Sequence, residues 1–202
     1  LGGKPVTMSD SSGFIHDADG IDTAKLAWVM DLKNNRRGRI SEYADHFDGA
    51  TYTAAQPEPS VNGLWSVPVD VALPCATQNE INGDEAKSLV DNRVMVVGEG
   101  ANMPCTPEAI ECFRGNGVMF SPGKASNAGG VATSGLEMSQ NSQRMNWSRE
   151  EVDEKLDRIM VNIHKAAYDT AKKYGREGDY AFGANVAGFL KVADAMLAQG
   201  VI

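Results

Sequence analysis

The sequence predicts an α/β protein that ends in an all-helical tail. Up to about residue 145, short runs of apolar and β-branched residues alternate with stretches of helical periodicity. This alternation is typical of a parallel sheet covered by helices. Beyond that point the apolar residues recur only at helical spacings. A length of 202 residues suits one domain, or one domain with an appendage.

Five strands are predicted, each from a short apolar run. The runs are apolar nearly throughout rather than alternating with polar residues, so we expect strands that helices cover on both faces. They lie at residues 6–9, 51–53, 69–73, 94–97 and 118–120.

Helix starts are marked by capping residues. Asp22 precedes an apolar helical pattern, and Thr106 followed by Pro107 provides an N-cap with a proline at the first helical position. Ser148 and Glu151 have the spacing of a capping box ahead of a long helix. A last helix follows around residues 186–197, so the tail is predicted to be a helical hairpin whose apolar faces pack against another surface.

The bulk composition excludes several classes of function. The formal net charge is −8, so nucleic acid and anionic membranes are not expected as partners, and a phosphate-bearing ligand needs a local basic pocket. The three cysteines and three histidines show no metal-binding spacing, so no metal site is predicted and a reducing, cytoplasmic compartment is expected. No apolar run approaches the roughly 20 residues that span a bilayer.

The first predicted strand ends in a Ser-Asp-Ser-Ser-Gly segment at residues 9–13, and the densest basic cluster follows at residues 33–39. In a dinucleotide fold, small hydroxyls and cations at such a strand end suit the 2′-phosphate of NADP, whereas an acid suits the 2′-hydroxyl of NAD. The other interpretation is a simple turn and a solvated helix end. The residues alone leave both open.

Two glycine-rich stretches depart from phosphate-binding patterns. Gly98 and Gly100 follow a strand, but Met103 stands where the dinucleotide fingerprint has a third glycine or alanine. The segment 117–124 has one residue too many for a P-loop, and Ala125 replaces the serine or threonine that would hold magnesium. Neither is predicted to bind phosphate, although the strand end at Gly98 remains a place where α/β proteins bind ligands.

The segment 126–135 contains adjacent glycines at the start of a predicted helix. Adjacent glycines let a backbone approach a ligand closely, and free N–H groups at a helix start favour an anion such as a carboxylate. Asn127 and Ser134 add side chains that form hydrogen bonds. Tight packing without a ligand explains the same residues equally well.

Taken together and in order, five segments closely resemble the hexameric NADP-type glutamate dehydrogenases of bacteria and fungi, and the resemblance extends over the whole chain. The segments are 9–13 (SDSSG), 73–80 (LPCATQNE), 98–104 (GEGANMP), 122–138 (PGKASNAGGVATSGLEM) and 185–189 (NVAGF). The resemblance implies a Rossmann-like dinucleotide-binding domain at residues 1–145 that lacks its first strand and glycine-rich loop. It also implies that residues 146–202 are helices that return to the substrate domain and act as a hinge.

The same resemblance implies an activity. Such an enzyme transfers hydride between Cα of glutamate and C4 of the nicotinamide of NADP, and interconverts glutamate with 2-oxoglutarate and ammonia. The expected protein is a homo-hexamer. The catalytic lysines and aspartate would precede this chain, so no catalytic residue is expected in it, and we expect no turnover and weak cofactor binding from the chain alone.

Site residues follow from the resemblance position by position. The adenosine ribose would contact Asp10 and Ser11, and the 2′-phosphate would contact Lys33, Arg36 and Arg39, with Arg37 as a further candidate. The nicotinamide riboside would contact Ala76, Thr77, Gln78 and Asn102, and Asn127 would lie beside the nicotinamide and the substrate. The glutamate pocket would be shaped by Gly130, Val131 and Ser134.

Two alternatives remain at this stage. A dehydrogenase for leucine, phenylalanine or valine would share the fold and the chemistry, but it would not need Ser134 to bind a second carboxylate. A non-catalytic Rossmann-type binding module is the alternative from another class, if the chain is complete as given.

Overall fold

The structure, a computed structural model, describes residues 2–56 and 63–200. All predicted strands and site residues lie within these ranges. The chain divides into two compact units, Leu1–Pro68 and Val69–Ile202. This boundary differs from the functional division at residues 145 and 146, which stays a prediction.

The first unit contains an antiparallel sheet of three strands in the order β1–β2–β3. The strands are β1 (Thr7–Asp10), β2 (Gly13–Asp17) and β3 (Ala50–Ala54). The strands predicted at 6–9 and 51–53 are confirmed, but the parallel arrangement is wrong here and β2 was missed. Only two residues separate β1 from β2, and so short a connection can join only antiparallel strands.

Helices complete the core of the first unit. Helix α1 (Thr23–Asp31) begins at the predicted cap, where the Asp22 carboxylate accepts the Lys25 N–H at 2.9 Å. A π-helical turn, Leu32–Arg36, continues it, and α2 (Glu42–His46) precedes β3. These elements enclose a buried cluster of Ile15, Ile21, Val29, Ile40 and Tyr43.

A buried carboxylate anchors this core. Asp17 is 2% exposed and accepts hydrogen bonds from Lys25 Nζ at 2.7 Å and from the Tyr43 hydroxyl at 2.6 Å. Burial alone would raise the pKa of Asp17, but these two hydrogen bonds, the Lys25 charge and a hydrogen bond from the Asp19 N–H together bring the pKa below its ordinary value. Burial and the same hydrogen bond raise the pKa of Tyr43.

The second unit contains a parallel sheet, as predicted. Its strands, in the order β4–β5–β6, are β4 (Val71–Ala72), β5 (Val96–Gly98) and β6 (Met119–Ser121). Helices α3 (Gly83–Asp91) and α4 (Pro107–Gly115) form the crossover connections that parallel strands require. Helix α4 begins at the predicted Thr106 cap, whose hydroxyl accepts the Ala109 N–H at 3.3 Å.

The remaining helices are α5 (Gly123–Ser126), α6 (Ala128–Gln143), α7 (Arg149–Lys173) and α8 (Tyr180–Gln199). The predicted capping box opens α7, since the Ser148 hydroxyl accepts the Glu151 N–H at 3.2 Å and the Glu151 carboxylate accepts the Ser148 N–H at 2.7 Å. Helices α7 and α8 pack closely where Gly183 meets the backbone of Ala167. The predicted helical hairpin is therefore present.

Helix α8 corrects one sequence expectation. By length and composition it is the one helix among the described residues that is long and apolar enough to cross a membrane. The expectation overlooked it because many alanines and glycines, rather than a continuous run of large apolar residues, make the segment apolar. One such helix is weak evidence for a membrane span, and Lys191 and Asp194 lie within it.

Candidate functional site

A cavity of about 700 Å³ lies at the carboxyl ends of β4 and β5, where parallel α/β sheets bind ligands. Its walls come from the loop after β4, the loop after β5 and the start of α6. The lining residues are Cys75, Ala76, Thr77, Gln78, Gly100, Ala101, Asn102, Asn127, Gly130 and Val131. The cavity thus brings together the four residues predicted at the nicotinamide riboside, Asn127, which was predicted beside the nicotinamide and the substrate, and two of the three residues predicted to shape the glutamate pocket.

The third residue of the predicted glutamate pocket, Ser134, lies one turn farther along α6. Its hydroxyl is exposed and donates to the Gly130 carbonyl at 3.4 Å, a long hydrogen bond. The lining of the cavity does not include it. A hydroxyl held this weakly is available to a ligand.

Backbone hydrogen bonds join the two loops of the cavity. The N–H groups of Gly100 and Ala101 donate to the Pro74 carbonyl at 2.9 and 3.1 Å, and the Asn79 N–H donates to the Met103 carbonyl at 3.0 Å. Asn79 and Met103 both have left-handed backbones, with φ of 55° and 57°. Such strained residues persist only where their surroundings fix them, and they are concentrated at binding sites.

An asparagine pair connects the β5 loop to α6. Asn127 Nδ2 donates to Asn102 Oδ1 at 2.7 Å and to the Ala101 carbonyl at 2.9 Å. These contacts use the amide N–H groups of Asn127 and the amide oxygen of Asn102. The Asn127 oxygen and the Asn102 N–H groups are the complementary acceptor and donors that the pair can offer to a ligand.

Sequence reasoning missed three residues of the lining, Cys75, Gly100 and Ala101. Each is adjacent in sequence to a predicted site residue or lies within the same segment, which was the available signal. The Cys75 sulfur lies directly against Gly100. Burial, together with the nearby Glu80 carboxylate, raises the pKa of the Cys75 thiol, so Cys75 contributes a neutral thiol to the cavity.

In the first unit, the turn between β1 and β2 is organised by Asp10. Its Oδ1 accepts the Ser12 N–H at 2.9 Å and the Ser12 hydroxyl at 2.6 Å, and its Oδ2 accepts Lys33 Nζ at 2.7 Å and the Ile40 N–H at 2.9 Å. Burial alone would raise the pKa of Asp10, but these hydrogen bonds hold it well below its ordinary range. All four acceptor positions of the carboxylate are therefore used within the protein.

The predicted hydroxyl and cations gather at this turn. Arg39 donates from its guanidinium to Ser11 Oγ at 2.9 Å, and Lys33 donates to the Gly38 carbonyl at 3.0 Å as well as to Asp10. The structure therefore places Asp10 and Ser11 next to Lys33 and Arg39, which lie 23 and 28 residues farther along the chain, respectively. Their contacts with a cofactor stay predictions.

Arg36 has different partners. Its Nε donates to Asp31 Oδ2 at 2.9 Å, and its guanidinium lies 4.6 Å from the centre of the Trp28 ring. Arg37 is exposed and has a left-handed backbone with φ of 58°. The phosphate contacts of Arg36 and Arg37 stay predictions, and because Arg36 already has partners in the protein we expect it to contribute less than Arg39.

Comparison with known proteins identifies the family. Residues 1–200 match the glutamate/leucine/phenylalanine/valine dehydrogenases. The chain belongs to this family. It is 56% identical over 205 residues to the NAD(P)-specific glutamate dehydrogenase of Xylanibacter ruminicola, and this match covers 100% of the chain and 44% of the relative. It is 53% identical over 202 residues to the NADP-specific glutamate dehydrogenase of Escherichia coli K12, with 100% of the chain and 43% of the relative covered.

A solved structure of Plasmodium falciparum glutamate dehydrogenase superposes with a TM-score of 0.88 at 47% identity, covering 98% of this chain and 42% of that one. This likeness confirms the predicted fold class, an α/β protein with a Rossmann-like domain and C-terminal helices. It also confirms the resemblance to glutamate dehydrogenases. The chain spans less than half the length of the relatives it matches.

Proposed function

We propose that this chain is the cofactor-binding part of an NADP-linked glutamate dehydrogenase, which interconverts L-glutamate with 2-oxoglutarate and ammonia. The observation that carries the proposal is the cavity at the carboxyl ends of β4 and β5. It gathers the residues that the resemblance assigns to the nicotinamide and substrate, in a chain more than half identical to glutamate dehydrogenases.

The turn between β1 and β2 supports NADP as the cofactor. Because the Asp10 carboxylate is saturated by protein donors, it has no free acceptor position for a ribose 2′-hydroxyl. The Ser11 hydroxyl and the Lys33 and Arg39 cations around it suit a 2′-phosphate dianion instead. Asp10 acts as an internal anchor that keeps Lys33 in place.

The cavity of the second unit fits the nicotinamide end. A volume of about 700 Å³ lies within the usual range for small-molecule sites. The acceptor and donors of the Asn127–Asn102 pair complement a carboxamide, which carries one acceptor oxygen and an NH₂ group. When bound, NADP supplies the hydride acceptor for oxidation of glutamate at Cα. The exposed backbone at Gly130 lets the substrate approach closely.

Ser134 is proposed to select glutamate. Its hydroxyl lies one helical turn beyond Gly130 and can donate to the side-chain carboxylate of the substrate. The rest of the protein is proposed to supply the catalytic lysines and aspartate, the glycine-rich loop and most of a hexamer interface. The full-length relatives, more than twice as long as this chain, support this division. A cytoplasmic location is part of the same proposal.

The competing function is a dehydrogenase for an apolar amino acid, since the family includes enzymes for leucine, phenylalanine and valine. The test is the ratio of kcat/KM for glutamate to that for norvaline with NADP, in the polypeptide encoded by the complete reading frame. A site with a group that binds the second carboxylate should favour glutamate by about tenfold or more. Equal kcat/KM values for the two amino acids, or a higher value for norvaline, would support the competing function.

Two matched variants test whether Ser134 causes the preference for glutamate over norvaline. Ser134→Ala should reduce the ratio, because the carboxylate loses a donor. Ser139→Ala is the control, since Ser139 is also exposed on α6 and also donates to the carbonyl four residues earlier, at 2.9 Å. An equal effect of both changes would contradict the role of Ser134.

A further inference from the structure

Glu99 is a buried carboxylate immediately after β5, and it is 5% exposed. Its side chain accepts two backbone N–H groups. Oε2 accepts the Gly123 N–H at 2.6 Å, and Oε1 accepts the Cys105 N–H at 3.2 Å. The first contact reaches the start of α5, and the second reaches the end of the loop that follows β5. One side chain therefore joins the loop after β5 to the start of α5, and Gly123 lies 24 residues from Glu99 in the sequence.

The backbone of Glu99 also forms hydrogen bonds to β6 and to α5. Its carbonyl accepts the Ser126 hydroxyl at 2.7 Å, and its N–H donates to the Ser121 carbonyl at 3.1 Å. Asn102 lies within the loop that Glu99 closes, and Asn127 follows directly after Ser126. The Asn127–Asn102 hydrogen bond thus forms between two segments whose separation Glu99 sets.

Glu99 lies behind this pair with respect to the proposed cofactor site. A second cavity of about 490 Å³ is lined by Glu99, Asn102, Lys124 and Asn127 among others. Asn102 and Asn127 line both cavities, whereas Glu99 lines only the second one. Glu99 can therefore influence a ligand in the 700 Å³ cavity only through the residues that it holds.

We propose that Glu99 is a positioning residue that fixes Asn102 and Asn127 in the arrangement that binds the nicotinamide end of the cofactor. The inference rests on the proposed function. A glutamine at this position has one acceptor oxygen for two N–H groups, and its NH₂ group would face the other donor. The loop and the start of α5 would then separate part of the time, and affinity falls by the fraction of molecules that lose the binding arrangement.

The test compares two ligands in the polypeptide encoded by the complete reading frame. Adenosine 2′,5′-bisphosphate carries only the part of NADP that is proposed to contact Ser11, Lys33 and Arg39, whereas NADP also carries the nicotinamide. Glu99→Gln should lower the affinity for NADP by about tenfold or more, because one buried N–H group is left without its acceptor. The affinity for adenosine 2′,5′-bisphosphate should stay at the wild-type value.

Glu85→Gln is the matched control. Glu85 is 4% exposed, accepts the Asn82 N–H at 2.8 Å, and lines neither cavity. Glutamine also serves at this capping-box position, so both affinities should stay unchanged. Ser126→Ala removes a hydroxyl whose shortest hydrogen bond, at 2.7 Å, is to the Glu99 carbonyl, with longer contacts to the Pro122 and Ser121 carbonyls at 3.0 and 3.3 Å. This variant should weaken the binding of NADP but not that of adenosine 2′,5′-bisphosphate, and to a smaller extent than Glu99→Gln. If Glu99→Gln does not fold, the comparison of the two ligands is made with Ser126→Ala instead.

The outcomes separate the inference from the function on which it rests. Unchanged NADP affinity in the variants, or an equal loss for both ligands, would overturn the positioning role while the wild type still binds NADP. A wild-type protein that binds neither ligand would overturn the proposed function, and the inference with it.

Discussion

The basic segment after α1 contains two arginines whose surroundings differ, and this difference makes a quantitative prediction. Arg39 donates to Ser11 at the turn organised by Asp10. Arg36 instead pairs with Asp31 and lies over the Trp28 ring. Replacing each arginine by alanine removes the same charge from the same segment. We expect Arg39→Ala to reduce the preference for NADP strongly and Arg36→Ala to reduce it little.

The magnitudes follow from these contacts. A hydrogen bond to a charged group contributes about 1.5–3 kcal/mol, so loss of an Arg39 contact with the 2′-phosphate should lower kcat/KM for NADP roughly 10- to 150-fold. The pair between Arg36 and Asp31 is exposed on both sides, with 42% and 51% of the side chains accessible. An exposed cation that is already paired contributes about 0–1 kcal/mol, so Arg36→Ala should lower kcat/KM for NADP by less than roughly fivefold.

The assay is kcat/KM for NADP and for NAD at saturating glutamate, measured in the polypeptide encoded by the complete reading frame. Because NAD lacks the 2′-phosphate, its kcat/KM should remain near the wild-type value in both variants. An equal loss with both cofactors after Arg39→Ala would refute the phosphate contact. A larger effect from Arg36→Ala than from Arg39→Ala would refute the distinction drawn from the structure.

Three further predictions concern stability. Asp10→Asn should lower the free energy of unfolding at neutral pH by about 1–3 kcal/mol and flatten its acid dependence. A carboxylate whose pKa in the folded protein lies below the ordinary 3.8 stabilises the fold above that pH and loses this contribution as the pH falls further. If the free energy of unfolding, measured by urea denaturation from pH 7 to 2, is the same in Asp10→Asn as in the wild type, the role of Asp10 is contradicted. Tyr43→Phe removes a hydrogen-bond donor from the buried Asp17 carboxylate and should lower the free energy of unfolding, measured by urea denaturation, by about 1.5–3 kcal/mol. A change within about 0.5 kcal/mol would show that this hydrogen bond contributes little. Gly183→Ala places a methyl group against the Ala167 carbonyl and should lower the free energy of unfolding by about 1–3 kcal/mol. Amide hydrogen exchange in α8 should become faster, and an exchange rate equal to that of the wild type would contradict the close packing of α7 and α8.

Local capping signals predicted helices well because they involve neighbours in the sequence. The caps at Asp22, Thr106 and Ser148 all open helices in the structure. Asn82 and Glu85 form a capping box of the same kind at α3, so the signal for that helix was present and was missed. The fold of the second unit was therefore largely available from the sequence.

The first unit shows what local patterns cannot provide. The segment 9–13 was predicted to lie at a strand end, with a simple turn as one interpretation. In the structure Gly13 also begins β2, so the chain reverses into a second strand that was not predicted. The contacts that give Asp10 its role come from Lys33 and Ile40, which lie 23 and 30 residues away. No spacing rule predicts such long-range hydrogen bonds.

The candidate site shows the same division. Ala76, Asn102 and Asn127 were predicted by resemblance, and the structure brings them to one cavity. Glu99 was quoted within a motif but was given no role, because its partners are backbone N–H groups at Cys105 and Gly123. Backbone partners carry no signal in a sequence, so the role that we propose for Glu99 could be inferred only from the structure.

The most direct test of the central claim is glutamate-dependent reduction of NADP compared with NAD, on this chain alone and on the polypeptide encoded by its complete reading frame. We expect turnover only from the longer protein, with NADP preferred. Turnover by the 202-residue chain alone would contradict the proposed division of labour. Absence of activity in both proteins would contradict the assignment as an enzyme and would favour a non-catalytic binding module.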